Sequence, residues 1–417
     1  MTLQQIDDQI ELVEGDRLEL TVGAVAHGGH CVARFGPAPG RVVFVRHALP
    51  GERVIAEITE IHRGYLRADA IEIVVSSADR VAPPCPWSGP DACGGCDFQH
   101  VALPGQRSMK AAVIKEQLTR LGGLDADQVD ALGVRVDALP GDIDGLGWRT
   151  RVRYTVAASD HAGLRKHRSN EIVPIDHCRI AHPSIQAVDV LKRPWPGVDS
   201  ISVAASSTGE LAVIADHHVV EGPERLTETA SGRTWQLAAG AFWQVHPAAA
   251  EALTAAVAAL LAPRPGDVVW DLYGGTGLFA GAIAETVGET GAVTVVEADP
   301  RGAVAAAANL ADLPWVKVVN ATVEAALRQR ALRGAADLVI LDPPRAGAGA
   351  RVVRALAGSG ARAIAYVACD PAALARDVRT FAEQGWELQL LRAFDCFPMT
   401  HHVECVALFT PAGAPAG

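Results

Sequence analysis

The chain has 417 residues, 49% of them hydrophobic and 20% charged, and a net charge of −11. That length implies two or three domains with real apolar cores, and the acidic balance excludes recruitment of nucleic acid by a global field, so a polyanion partner needs a local basic patch. The opening MTLQQIDDQIELVEG is acidic and carries no apolar run, and no uninterrupted apolar stretch reaches membrane-spanning length; the expectations are no signal peptide, no membrane span and a cytoplasmic protein, in which eight cysteines read as metal ligands, catalysts or buried thiols rather than disulfides.

Residues 1–75 carry the short strand patterns LELTVGAV, HCVARF, RVVFVRHA, GERVIAEITEIH and YLRADAIEIV. Gly and Pro separate them and no helix intervenes, which suggests a small OB-like barrel. Residues 76–240 read as a central α+β domain: a cysteine-bearing loop, a helix over 106–121, then further strands. Within it WRTRVRYTV (148–156) alternates, placing Arg149, Arg151 and Arg153 on one face. Leu164-Arg165-Lys166-His167-Arg168 adds charge nearby in sequence. Arginine can pair phosphates and stack on splayed bases, so this stretch is the expected RNA-facing surface.

From residue 241 the pattern changes. After a helix over 247–261, strands DVVWDLY, AVTVVEAD, WVKVVNAT, ADLVILD and ARAIAYVA alternate with helical segments, including VEAALRQRAL (323–332) and PAALARDVRTFAEQG. WELQLLRAFDCF and HVECVALFT close the chain as a hairpin. Strand–helix alternation predicts a parallel sheet covered on both faces. The expected fold is therefore multidomain α/β, with domains at 1–75, 76–240 and 241–417.

Ligands of such sheets bind beyond the carboxyl ends of the strands. The first strand ends in Asp271-Leu272-Tyr273-Gly274-Gly275-Thr276-Gly277, whose glycines, Gly275 among them, allow a tight turn and close approach of a ligand to backbone. The next ends in Glu297, placed to bind ribose hydroxyls. Gly275-x-Gly277-x-x-Ala280 leaves a dinucleotide open; the wording DLYGGTG favours S-adenosylmethionine (SAM), which has no pyrophosphate to cradle. The fourth strand ends in Asp342-Pro343-Pro344-Arg345, whose prolines hold the chain extended.

Cys369 ends the fifth strand, followed by Asp370 as a helix cap and Pro371 at the first helical position. A helix N-terminus can lower a thiol pKa and make it a nucleophile. Glu404 heads an apolar strand, where a buried carboxylate is expensive unless used or paired, and is a candidate base. Cys396 and Cys405 read as core thiols, with Cys405 on the face opposite Glu404. A methyl donor, a thiol and a base in one pocket suit one chemistry: the thiolate adds to carbon 6 of a uracil, the ring becomes an enolate whose carbon 5 attacks the methyl, and the base removes the carbon 5 proton.

Cys85-x7-Cys93-x2-Cys96, with the distant Cys178, is a metal signal. Thiolates suit zinc or an iron–sulfur cluster, and the spacing does not choose between them.

The sequence resembles the SAM-dependent RNA uracil-5 methyltransferases, including members with an N-terminal TRAM domain and an iron–sulfur cluster. The matching pieces run in order: FWQVHP (242–247), DLYGGTG (271–277), VEAD (296–299), DPPR (342–345), YVACDPAALARD (366–377) and DCFPMTHHVE (395–404). The resemblance implies that Cys369 is the nucleophile and Glu404 the base, that Gln244, Tyr273, Glu297 and Asp342 contact SAM, and that Cys85, Cys93, Cys96 and Cys178 bind a [4Fe-4S] cluster. It implies structured RNA, ribosomal or transfer, as partner of a monomer with no obligate protein partner. The family usually has Ser-Cys-Asn-Pro around the nucleophile; Asp370 beside Cys369 is a departure, and an acid there is expected to raise the thiol pKa. Three alternatives stay open: an RNA cytosine-5 methyltransferase using Cys396 or Cys405 as a second thiol, a non-catalytic RNA-binding iron–sulfur protein, and an amino-group methyltransferase, although the last usually has an aromatic where Arg345 stands.

Overall fold

The computed structural model describes residues 12–329, 332 and 334–413. Most of the acidic opening segment, and residues 330 and 331 of the helix expected over 323–332, lie outside them.

Six strands build the N-terminal barrel: β1 (Arg17–Thr21), β2 (Val25–Ala26), β3 (His30–Phe35), β4 (Arg41–Arg46), β5 (Arg53–Ile61) and β6 (Tyr65–Val75), joined in the order β1-β5-β6-β4-β3-β2. Alternation turns Leu18, Leu20, Val54, Ala56 and Ile58 into one core. After α1 (Leu103–Gln117), α2 (Ala126–Ala131) and β7 (Val136–Asp137), a second sheet contains β8 (Arg151–Val156), β9 (Ala162–Arg165), β10 (Ile172–Val173), β11 (Ser200–Ala205), β12 (Leu211–Ala215) and β13 (His218–Glu221), ordered β10-β9-β8-β11-β12-β13. The short α3 (Pro183–Gln186) packs beside it, and a separate hairpin pairs β14 (Arg225–Ala230) with β15 (Arg233–Ala238).

The remaining elements are α4 (Ala249–Leu261), β16 (Val268–Leu272), α5 (Leu278–Val287), β17 (Ala292–Glu297), α6 (Pro300–Asn309), β18 (Val316–Asn320), α7 (Val323–Arg328), β19 (Leu338–Leu341), α8 (Gly349–Ala357), β20 (Ala363–Ala368), α9 (Pro371–Glu383), β21 (Trp386–Phe394) and β22 (Glu404–Pro411). The sheet order is β18-β17-β16-β19-β20-β22-β21-β7. Strands β16 to β20 run parallel, and β22 is antiparallel to both β20 and β21. Chain order reverses between β16 and β19, so the crevice beyond their carboxyl ends is the expected ligand site.

Every residue of β20 is buried. Ala363, Ala365 and Val367 enter one core layer with residues of α4 and α5, while Ile364, Tyr366 and Ala368 enter the other with residues of α8 and α9. The helices start where their sequences direct. Asp299, Thr322 and Asp370 accept bonds from Arg301, Ala325 and Ala373 amides, and Pro300 and Pro371 occupy first-turn positions. Residues 103–137 pack against this large sheet: β7 pairs with β21, and Ile114, Leu118, Val129 and Val136 join its core.

The loop between β21 and β22 carries the DCFPMTHHVE stretch, and the cysteine loop braces it. The amides of Asp97 and Phe98 both donate to the Met399 carbonyl at 2.9 Å. Gln106 Nε2 donates to the Phe98 and Val101 carbonyls, and Gln106 Oε1 accepts from the Met399 amide at 2.8 Å. Beneath them Lys110, 1% exposed, donates to Asp395 Oδ1 at 2.5 Å and to the Phe397 carbonyl at 3.0 Å. Removing one partner of such a pair strands a buried charge, so Lys110→Met is expected to cost about 3–5 kcal/mol. Urea unfolding of the variant checks this; a loss below about 1 kcal/mol, the range of an exposed pair, would show that Lys110 does not support the loop.

Candidate active site

The carboxyl edge of the parallel strands gathers six of the seven expected catalytic and cofactor residues. The turn after β16 is held in the left-handed region by Tyr273 (φ 64°), Gly275 (φ 55°) and Gly277 (φ 91°). A non-glycine residue there is strained, and such strain collects at ligand sites. No atom would lie within 4 Å of a Cβ on Gly275, so the turn faces open space. Glu297, ending β17, secures the turn: Oε2 accepts from the Gly275 amide at 2.8 Å and Oε1 from the Asp299 amide at 2.6 Å. Asp271 is fully buried, accepts from the Ala280 amide at 2.9 Å, and keeps Oδ1 without a partner among the described residues. Burial, with Asp342 and Glu297 nearby, pushes its carboxyl up to about 7. Burial alone pushes Asp342, at the end of β19, to about 7.

Cys369 and Glu404 meet across the β20–β22 pairing. Ala368 is in register with Cys405, which sets Glu404 one step from Cys369 at the same edge. Cys405 joins the core layer of Ala407 and Phe409 while Val406 joins the other, so Cys405 and Glu404 point to opposite faces as expected. Glu404 is 5% exposed, and burial plus Asp342 raise its carboxyl well above the usual range. Burial, then Glu404, push the Cys369 thiol up to about 11, with Asp342 and Asp370 adding to the effect. Asp370 therefore acts in the expected direction, but behind burial and Glu404. One cation opposes the rise at both residues: Arg345, whose Nη2 lies 3.2 Å from His402 Nε2. A small cavity at Cys369 is lined by His27, Gly28 and Gly29 of the barrel, Lys110 of α1, Asp370, His401 and His402.

Gln244 comes from outside the strand ends. It is buried in the loop before α4, where the neighbouring Val245 carbonyl accepts from the Thr150 amide at 2.8 Å and hydroxyl at 2.9 Å. Arg345 lay within a recognised motif yet drew no role from the sequence, because a cation's effect depends on which acids surround it. His27 carried no signal beyond its place before two glycines.

The four cysteines are drawn into one region. Burial raises Cys93 to about 11, and Cys178 and Cys85 add to the shift; burial likewise raises Cys96 and Cys178, with neighbouring thiols contributing. The Gly95 amide points at Cys93 Sγ (3.4 Å) and the Gln99 amide group at Cys96 Sγ (3.3 Å). A Cβ on Gly94 would stand 2.4 Å from the His167 nitrogen, so this loop lies flat on the basic segment. Among the described residues, no three His, Cys, Asp or Glu side chains stand as a ready metal shell.

The expected three-arginine face is corrected. Val152 and Tyr154 are buried as the alternation requires, but Arg151 pairs with the buried Glu228 at 2.8 Å and Arg149 lies beside the Cys93 and Cys178 thiols. Arg153 alone of the three is exposed, donating to Ser200 Oγ at 3.1 Å. Basic groups converge elsewhere: His167 feels Arg46, Arg67 and Arg168, and the Arg67 guanidinium lies 5.6 Å from the Tyr65 ring and 5.9 Å from the Phe44 ring.

Comparison with known proteins agrees with this geometry. Residues 11–71 match the TRAM domain, and residues 200–411 match the tRNA (Uracil-5-)-methyltransferase family. The chain is 47% identical to an uncharacterized RNA methyltransferase of Streptomyces avermitilis, over 95% of this chain and 99% of that one. It is 30% identical to the 23S rRNA (uracil(1939)-C(5))-methyltransferase RlmD of Shewanella sp. strain MR-4, over 91% of this chain and 93% of that one. The structure of Pyrococcus abyssi tRNA (uracil-54, C5)-methyltransferase with S-adenosyl-L-homocysteine shares the fold, with a TM-score of 0.66 at 21% identity over 94% of this chain and 99% of that one. A strand-end site on a doubly wound sheet, a barrel ahead of it and these matches place the chain in the tRNA (uracil-5-)-methyltransferase family, as a SAM-dependent RNA methyltransferase with an N-terminal TRAM domain.

Proposed function

We propose that this protein methylates carbon 5 of a uridine in structured RNA through a transient Cys369–uracil bond, with Glu404 as the base. The juxtaposition of Cys369, Glu404 and Asp342 at one strand edge, with Arg345 a cation that acts on both Cys369 and Glu404, carries the reading. SAM supplies an electrophilic methyl carbon. The Cys369 thiolate forms a bond to carbon 6, and the displaced π electrons make carbon 5 nucleophilic. After methyl transfer the Glu404 carboxylate takes the carbon 5 proton, the 5,6 double bond re-forms and the thiolate leaves. A carboxylate that binds its proton tightly is a strong base once ionised, which suits this late step. Arg345 opposes, without cancelling, the burial and neighbouring acids that hold a proton on each group.

Tyr273, Gly275, Glu297 and Asp342 would hold SAM, with Gln244 closing the site from the 240–247 loop. The orphaned Asp271 Oδ1 and the open turn at Gly275 fit a ligand rich in hydrogen-bond donors. Uracil is favoured over cytosine because Cys396 and Cys405 are both fully buried in the core and neither is placed as a second thiol. The substrate of the Shewanella relative supports ribosomal RNA. The half-buried Phe44 and Tyr65 rings and the exposed Arg168 suit stacked bases and phosphates, while Arg46 and Arg67 are occupied by Asp97 and Glu60.

The proposal includes a [4Fe-4S] cluster held by Cys85, Cys93, Cys96 and Cys178. N–H groups aimed at sulfur are what such clusters use, and the iron charge would offset the burial that otherwise holds the protons on Cys93, Cys96 and Cys178. Its place beside Asp97 and Phe98, which brace Met399, supports a structural rather than redox role.

Cys369→Ala is expected to abolish methylation and covalent trapping by RNA containing 5-fluorouridine; persistent trapping would remove it from the nucleophile role. Glu404→Gln is expected to permit methyl transfer but slow release, so that a protein–RNA adduct accumulates on denaturing gels; prompt release counts against Glu404 as base. Anaerobically purified protein is expected to be brown, with about four irons and four sulfides per chain. Colourless protein with stoichiometric zinc would overturn the cluster.

A further inference from the structure

The residue after Cys369 is an acid, and an anion beside a group that must itself become anionic opposes the change. Both oxygens of Asp370 are engaged. Oδ1 accepts from the Ala373 amide at 2.8 Å, capping α9, and Oδ2 lies 3.0 Å from His27 Nε2. His27 comes from the barrel, 343 residues away in the chain, in the turn between β2 and β3. That turn is wedged in place. Gly28 and Gly29 have φ of 97° and 80°, and a Cβ on Gly29 would stand 3.0 Å from the Asp97 side chain and 3.1 Å from His401 Cβ. His27, Asp370 and Cys369 line the same cavity.

We propose that His27 is a positioning residue for methyl transfer: its imidazolium pairs with Asp370 and keeps that carboxylate from opposing thiolate formation at Cys369. The inference rests on Cys369 being the nucleophile, and it makes the barrel part of the active site. The groups facing His27 are Asp370, Glu116 from α1, Arg376 from α9 and, ring edge to ring face at 6.5 Å, His401. The bond to Asp370 is the largest influence and raises the His27 pKa, against burial and Arg376. Burial pushes Asp370 up, but His27 and the Ala373 amide hold it below the usual carboxylate range. Around Cys369 stand Glu404, Arg345, Asp342 and Asp370, and Asp370, its neighbour in the chain, contributes least of these. The imidazolium is present below its raised pKa and is lost as pH rises through it, so the benefit to the thiolate belongs to the acidic and neutral side.

The test is the rate of Cys369 alkylation by iodoacetamide as a function of pH, read by peptide mass spectrometry on the full chain. His27→Ala and His27→Gln are expected to slow alkylation about threefold at pH 6, equivalent to half a unit of thiol pKa. The rates should converge with wild type above about pH 9, where imidazole is neutral. In an Asp370→Asn background, which keeps a good helix cap, His27→Ala is expected to change nothing. A slowing of equal size with and without the Asp370 carboxylate, or one that persists at high pH, would overturn the pairing, as would an unchanged rate in both His27 variants. The alkylation readout does not depend on the nucleophile assignment: methylation retained by Cys369→Ala would overturn that assignment while the titration still decided the pairing.

Discussion

The structure depends on keeping several groups of one charge sign out of water and close together. Asp271, Asp342, the Cys369 thiol and Glu404 all sit at the carboxyl edge of the parallel strands, where β22 begins, and each has its proton held more tightly than in water. Left to itself such a group would separate or hydrate. It stays because each member is attached to an element that cannot move: three to strand ends in the sheet interior and Cys369 at the end of a strand buried along its whole length. Rigid scaffolding is what makes mutual repulsion usable, since a carboxylate that resists ionisation is a stronger base when a substrate finally reorganises the charges.

The rest of the molecule supports that edge from outside. The loop bearing Met399, His401 and His402 has no regular structure of its own, so its backbone polar groups need partners elsewhere. The cysteine loop, Gln106 and the buried Lys110–Asp395 pair supply them. Met399 is held with φ of 67°, a conformation that only such bracing maintains in a non-glycine residue. A cluster on the neighbouring cysteines would thus act at a distance of a few residues, through the loop whose amides hold Met399, without entering the chemistry.

Much of this was legible in the sequence because it follows from local rules. Period-two and period-3.6 patterns located the barrel strands and the alternating half of the chain, and strand-end position singled out Cys369, Asp342 and Glu297. Asp-Pro announced the start of α9, and the alternation at Glu404-Cys405 gave their opposite faces. What stayed hidden is nonlocal. Whether Arg151 greets a phosphate or a buried Glu228 depends on a residue 77 positions away, and the pairing of β7 with β21 joins segments more than 250 residues apart. Arg149 and Arg151 read as a basic surface because alternation reports which side of a strand a residue takes, not what covers that side.

The same nonlocality bears on how the domains work together. Four separate stretches of chain converge on the Cys369 cavity: the barrel turn at His27 to Gly29, the cysteine loop at Phe98, α1 at Lys110, and the loop at His401 and His402. A side chain at Gly29 would crowd Asp97 and His401, so the barrel meets the catalytic half as a fitted contact and not as a tethered neighbour. The half-buried rings of Phe44 and Tyr65, with the Arg67 guanidinium over them, belong to that same barrel. Under the proposed function, a nucleic acid held against the barrel would be registered against Cys369 by a rigid path one domain long. An acidic chain of net charge −11 needs a local grip to place a polyanion, and the barrel offers a place for one beside the Cys369 sulfur that it walls.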